Sequence, residues 1–203
     1  MKLKICGMLI SENIIEASKL NPDYLGFIFW KKSPRYFNKK IPVINKKIKL
    51  TGIFVNESFN EIKKQINIHK LDLIQLHGNE SPIVCEKIKT LGIECIKSFS
   101  IDKDFNFNRL KKYEDICDYF LFDTKGKLPG GNSYKFDWKL LKKYTFSKPF
   151  ILSGGIGLND ISEIKEIIKS DLPIHAIDVN SKFEISPGNK NIELLKKFKL
   201  KLF

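Results

Sequence analysis

Apolar residues along the chain gather into eight short runs, at positions 3–6, 24–29, 50–55, 71–76, 93–99, 119–122, 150–152 and 174–179. Each has the length of a β-strand. Most close on a polar or glycine residue suited to chemistry: Cys6-Gly7, Trp30-Lys31, Asn56-Glu57, His77-Gly78, Asp123-Thr124, Ser153-Gly154-Gly155 and Asp178 to Asn180. Between most runs the apolar spacing turns helical. Residues 11–20 predict a helix with Ser11 as N-cap and Ile14, Ile15 and Leu20 on its inner face. A second helix starts at Asn56 or Ser58 and runs to about His69. Ser81-Pro82 opens a third, with Pro at its first position, Ile83, Val84, Ile88 and Leu91 inward, and Gly92 at its end. Asn159 or Asp160 begins a fourth, and residues 191–198 form the last. Eight strands alternating with helices predict an α/β fold, a (β/α)8 TIM barrel, formed as a single domain over residues 1–203. In such a barrel the C-terminal strand ends build the active site.

Two connections break the pattern. Residues 33–49 contain Pro34 and Pro42, and residues 125–134 carry Pro129-Gly130-Gly131-Asn132. Both read as long loops, both follow strands, and loops of this length in a compact fold are often functional. Period-two alternation then assigns faces. Leu3 and Ile5 belong outside against helices, which sends Lys4 and Cys6 inward. By the same rule Tyr119, Leu121 and Asp123 share one face, Phe120 and Phe122 the other, and Ala176, Asp178 and Asn180 go together.

Composition narrows the class. No run approaches the ~20 apolar residues of a membrane span. The N-terminal segment lacks a signal-peptide core and itself reads as a strand, so a cytoplasmic protein is expected. The four cysteines show no CxxC pair and no metal-ligand spacing, so no metal is expected, and three of them read as packing. Net charge is +13, but only Arg35 and Arg109 among the 36 basic residues are arginine, and the lysines form no stripe. That favours an anionic small molecule steered by a positive field over nucleic acid.

The strand ends supply the candidates. Cys6, facing inward above Lys4, is a candidate base or nucleophile whose thiolate a nearby ammonium would favour. Asp123 follows an aromatic strand, and desolvation there would favour its protonated, donating form. Asp178 holds the same place on the last strand. Gly154-Gly155 exposes backbone N–H groups after the seventh strand, and Asn180-Ser181 follows the eighth, where barrels often hold a phosphate. Arg35 offers the bidentate grip on a carboxylate that lysine cannot provide. His77 reads as a structural, hydrogen-bonded histidine.

Seven segments in order, from residue 2 to about 199, resemble the phosphoribosylanthranilate isomerase family: Lys4-Ile5-Cys6-Gly7, Ser33-Pro34-Arg35, Gln75-Leu76-His77-Gly78, Phe122-Asp123, Phe136-Asp137-Trp138, Leu152 to Ile156, and Asp178-Val179-Asn180-Ser181 with Ser186-Pro187-Gly188. The resemblance implies a cofactor-free Amadori rearrangement in tryptophan biosynthesis, acting on a phosphorylated small molecule, with no nucleic-acid or membrane partner and a monomer or homodimer. It implies Asp123 as general acid, Cys6 as general base, Arg35 on the anthranilate carboxylate, Asp178 near the amino group, and Gly154, Gly155, Asn180 and Ser181 on the phosphate. Lys182 stands where the family usually has a small residue and would add charge there; residues 130–134 lack a further glycine common in that loop. The competing readings are another phosphosugar barrel, which would need a strand-end lysine in place of Cys6 and Asp123, and a basic nucleic-acid-binding protein.

Overall fold

Eight parallel strands close into a barrel in the computed structural model, which describes residues 1–126 and 135–203. They are β1 (Lys2–Ile5), β2 (Tyr24–Ile28), β3 (Lys49–Phe54), β4 (Leu73–Leu76), β5 (Glu94–Ile101), β6 (Tyr119–Thr124), β7 (Phe150–Leu152) and β8 (Ile174–Val179). Each pairs with its chain neighbours, and β1 closes the ring on β8 with Lys4 beside Asp178 and Ile5 beside Val179. A short antiparallel hairpin, β9 (Glu184–Ser186) with β10 (Asn189–Lys190), follows the barrel.

The alternation sorts residues as expected. Leu121, Tyr24, Leu73, Ile96, Ile151 and Ala176 form a separate inner cluster, whereas Leu3, Ile5, Phe120 and Phe122 belong to the larger core between sheet and helices. Bulky apolar side chains thus plug the barrel and make it a floor for the site.

Helices α1 (Ser11–Ser18), α2 (Phe59–His69), α3 (Pro82–Lys89), α4 (Ile161–Ile168) and α5 (Ile192–Leu202) lie where helical spacing was read. Ser58 caps α2 by accepting from Glu61 N at 3.2 Å, and Asn191 caps α5 by accepting from Leu194 N. Two inner faces differ from expectation. Ile10, not Ser11, is the N-cap of α1, and Ile15 turns to solvent while Ile14, Ala17 and Ser18 are buried. On α3, Ile83 is exposed and Cys85 and Ile88 face the sheet. Both helices have only eight residues, and a helix of two turns buries a narrower stripe than its apolar content suggests.

Three connections carry no α-helix among the described residues. Between β2 and β3 the chain folds back: Phe37 N donates to Ile28 O, and the Phe37 ring packs edge-on against Phe27 and Phe29. Between β5 and β6 there is only a 3-10 turn, Phe107–Tyr113, which Asn106 caps and aromatic contacts hold to the sheet. Trp138–Lys143 is a 3-10 segment before β7, and the Pro129-Gly130-Gly131-Asn132 loop lies outside the described residues. No helix among the described residues is long and apolar enough to cross a membrane.

Leu121 is fully buried in the inner cluster. Leu121→Ala should lower unfolding stability by about 2–5 kcal/mol in urea titrations, since neighbouring strands cannot collapse into the space.

Candidate active site

The β1–β8 register decides the floor of the site. Lys4 points into the barrel without solvent exposure and its Nζ lies 2.9 Å from Asp178 Oδ2. Buried charges persist only when paired. Burial pulls Lys4 down, but Asp178 and Cys6 outweigh it and hold the ammonium above its ordinary value. Burial pushes Asp178 up, helped by Asp123 and opposed by Lys4. The second Asp178 oxygen, Oδ1, is buried with no hydrogen-bond partner among the described residues.

Cys6 sits at the top of β1, hydrogen-bonded through its backbone N to Val179 O. Burial pushes its thiol up. Lys4 and Lys190 pull it back and Asp178 opposes them, leaving the thiol above its ordinary value. Lys4 does draw the thiol toward ionisation, as expected, but desolvation outweighs it. Gly7 follows at φ +74°, and a Cβ there would lie 2.7 Å from both Arg35 Cδ and Asn180 Oδ1. Only glycine lets those two loops approach so closely.

Asp123, at the end of β6, is buried. Its Oδ1 accepts from Thr124 N at 2.8 Å, and its Oδ2 lies 3.2 Å from His77 Nε2, skewed from good hydrogen-bond alignment. Gln75 Nε2 lies 2.7 Å from His77 Nδ1. With the Gln75 amide donating there, the imidazole proton sits on Nε2, toward Asp123. His77 is thus more than a packing histidine: it adjoins the candidate acid. No local sequence pattern indicates this, because the contact joins β4 to β6 across the barrel mouth.

Arg35 is placed by a turn in which its N donates to Ser33 Oγ at 3.1 Å. Glu184 holds its guanidinium, with Nε donating to Oε1 at 2.8 Å and Nη2 to Oε2 at 2.5 Å. Burial pushes Glu184 up, but Arg35, Lys190 and Gly188 N outweigh it and hold the carboxyl below its usual range. Glu184 and Lys190 were not anticipated from the sequence.

Gly154 and Gly155 lie at φ +96° and +65°. Such a glycine turn leaves backbone N–H groups without side chains over them at the strand end, a setting suited to an anion. A Cβ on Gly154 would come within 2.4 Å of Thr124 Oγ1. Ser181 starts a 3-10 turn, Ser181–Phe183, just after Asn180.

One cavity of about 140 Å³ is lined by Cys6, Arg35, Asp123, Gly154, Gly155, Asp178, Asn180 and Ser181, together with His77, Gln75 and Trp30. All eight residues singled out from the sequence meet in it. Lys182 does not line it; with Gly155, Gly157 and Lys135 it borders an adjacent cleft. Cys85, Cys95 and Cys117 bring their sulfurs within 4.8 Å of one another, a convergence their spacing concealed. They are buried in the core outside the barrel, Cys85 on α3, Cys95 on β5 and Cys117 just before β6, and none of them lines that cavity.

A model of the N-(5'-phosphoribosyl)anthranilate (PRA) isomerase family matches residues 3–200. The chain belongs to the N-(5'-phosphoribosyl)anthranilate isomerase family. The N-(5'-phosphoribosyl)anthranilate isomerase of Parabacteroides distasonis is 38% identical over 205 residues, covering 98% of this chain and 91% of the relative. The solved phosphoribosyl anthranilate isomerase of Thermotoga maritima is 27% identical, with a TM-score of 0.85, covering 100% of this chain and 98% of that one. A solved phosphoribosyl anthranilate isomerase in complex with reduced 1-(o-carboxyphenylamino)-1-deoxyribulose 5-phosphate is also 27% identical, with a TM-score of 0.81 and coverage of 100% and 98%.

In this isomerase-family barrel, removing Lys4 should expose the cost of an unpaired buried carboxylate. Lys4→Met should lose about 3–5 kcal/mol of stability at neutral pH. The deficit should narrow as pH falls, because an unpaired Asp178 takes up a proton. Urea midpoints for both proteins across a pH series would measure it.

Proposed function

We propose that the protein converts N-(5-phosphoribosyl)anthranilate to 1-(2-carboxyphenylamino)-1-deoxyribulose 5-phosphate, the aldose–ketose isomerisation of L-tryptophan biosynthesis. The observation that carries the reading is the single cavity shared by a thiol, a carboxyl, an arginine and a positive-φ glycine pair. Those groups suit a substrate with a carboxylate, a phosphate and a proton to move between carbons.

Asp123 acts as general acid. It delivers a proton to the furanose ring oxygen as the C1′–O bond breaks, while the anilino nitrogen lone pair forms the iminium. His77 adjoins Asp123 Oδ2 and helps settle the carboxylate left behind. Cys6 acts as general base. Its thiolate takes the C2′ proton, and the electrons of that bond neutralise the iminium to give an enolamine. Loss of the enol proton and protonation at C1′ then yield the ketone. The cationic iminium beside Cys6 favours the thiolate at the step that needs it, offsetting the burial that disfavours it in the free enzyme.

Arg35 holds the anthranilate carboxylate. Asp178 Oδ1, buried without a partner among the described residues, accepts from the substrate amino group. Gly154, Gly155, Asn180 and Ser181 hold the phosphate. The chemistry needs no cofactor or metal, and we place the protein in the cytoplasm as a monomer or homodimer.

Purified protein should isomerise phosphoribosylanthranilate. Asp123→Asn and Cys6→Ser should each lower kcat by about 10²–10⁴-fold, the usual contribution of a proton-transfer group. Full activity in either variant would remove that residue from its role. In the wild type, kcat/KM should rise with pH from neutral into the alkaline range, because the free-enzyme thiol titrates above its ordinary value. A profile that falls across this interval would contradict Cys6 as base.

A further inference from the structure

Arg35 is one end of a buried chain of charges. Glu184 accepts from Arg35 Nε at 2.8 and 3.1 Å and from Nη2 at 2.5 Å. The same carboxylate accepts from Lys190 Nζ at 2.7 Å and from Gly188 N at 3.0 Å. Lys190 Nζ, itself buried, also donates to Asn180 Oδ1 at 2.6 Å. The chain Arg35–Glu184–Lys190–Asn180 therefore ties the loop after β2 to the loop after β8, across the cavity that both Arg35 and Asn180 line.

The contact pattern leaves Arg35 with a defined free geometry. A guanidinium has five N–H donors in a rigid plane. Glu184 takes the side-on edge, made by Nε and one Nη2 hydrogen. The end-on edge, made by Nη1 and the other Nη2 hydrogen, still offers two parallel donors, the fork that matches a second carboxylate. Charge points the same way. Partly exposed Arg35 and buried Lys190 are two cations set against one carboxylate, so the cluster carries an excess positive charge that a ligand carboxylate would complete.

We propose that Glu184 is a positioning residue that sets selectivity for a carboxylate-bearing substrate, by clamping Arg35 side-on so that its end-on edge faces the cavity in fixed register with Asn180. It touches no substrate atom itself. The proposal rests on the isomerase reading above and deepens it.

Two substrates separate the effects: N-(5-phosphoribosyl)anthranilate and N-(5-phosphoribosyl)aniline, which lacks only the carboxylate. In Glu184→Gln, the ratio of kcat/KM for the first to that for the second should fall about tenfold or more, the size of a lost charge-assisted hydrogen-bond pair. The loss should lie mainly in KM for the carboxylate substrate. Because Glu184 acts through Arg35, Arg35→Lys/Glu184→Gln should be no less selective than Arg35→Lys alone. Should Glu184→Gln not fold, Glu184→Asp keeps the charge but shortens the reach, and its selectivity ratio should also drop. An unchanged ratio, or equal losses on both substrates, would overturn the proposal and reduce Glu184 to a structural brace. A wild-type protein that turns over neither substrate would instead overturn the isomerase reading, and this proposal with it.

Discussion

The contact on which the site depends is the buried ion pair between Lys4 and Asp178, 2.9 Å apart where β1 closes the barrel on β8. A parallel barrel needs its first and last strands in one register, and a slip by one residue would turn each inward side chain outward. Here a slip would also separate two charges inside an apolar tube, which is far more costly than mispairing two aliphatic residues. The pair thus locates Cys6, one inward position above Lys4, and Asn180, one above Asp178. Cys6, the proposed base, thus stands on the seam itself, and the barrel closed there sets the frame for Asp123, the proposed acid on β6.

The same seam explains the electrostatics around Cys6. A thiol fully removed from water resists ionisation. Two buried ammonium groups, Lys4 and Lys190, pull against that, yet each already faces a carboxylate, Asp178 and Glu184. The net result is a thiol held back in the empty cavity and surrounded by charge that responds to a ligand. In the proposed reaction, an arriving carboxylate on Arg35 and a transient cation near C1′ would change the balance in opposite senses. On the proposed mechanism, Cys6 would ionise only beside its cationic intermediate and leave no reactive thiolate in the open site.

Most of the architecture was legible because it is local. Strand ends, the face of each strand, Pro82 at the start of α3 and the Ser58 and Asn191 caps depend on neighbours within a few residues. All eight candidate residues sat at strand ends or in the loops that follow them, where barrel topology alone gathers side chains into one mouth. What was not legible joins distant segments. Arg35 and Glu184 are 149 residues apart, and Lys4 and Asp178 are 174 apart. Glu184 beside Arg35 and Asp178 beside Lys4 are partners that no spacing rule could locate, and with them went the balance in which desolvation outweighs the pull of Lys4 on Cys6. The Cys85, Cys95 and Cys117 convergence was hidden in the same way.

The missing helices follow from the chemistry that the loops carry. An α-helix after β2 would bury its N–H groups in its own ladder and carry residue 35 away from the mouth. The irregular loop instead returns to β2 through the Tyr36 bridge and anchors itself with Phe37, 1% exposed, beneath the turn that presents Arg35. On the opposite side of the closing seam, hairpin β9–β10 brings Glu184 and Lys190 together at its paired register. Neither loop fixes the arginine alone: one supplies its position along the rim and the other its orientation. The proposed grip, built from two loops on either side of the β1–β8 seam, is complete only in the closed barrel, so on that reading substrate recognition is coupled to the same register that buries Lys4 against Asp178.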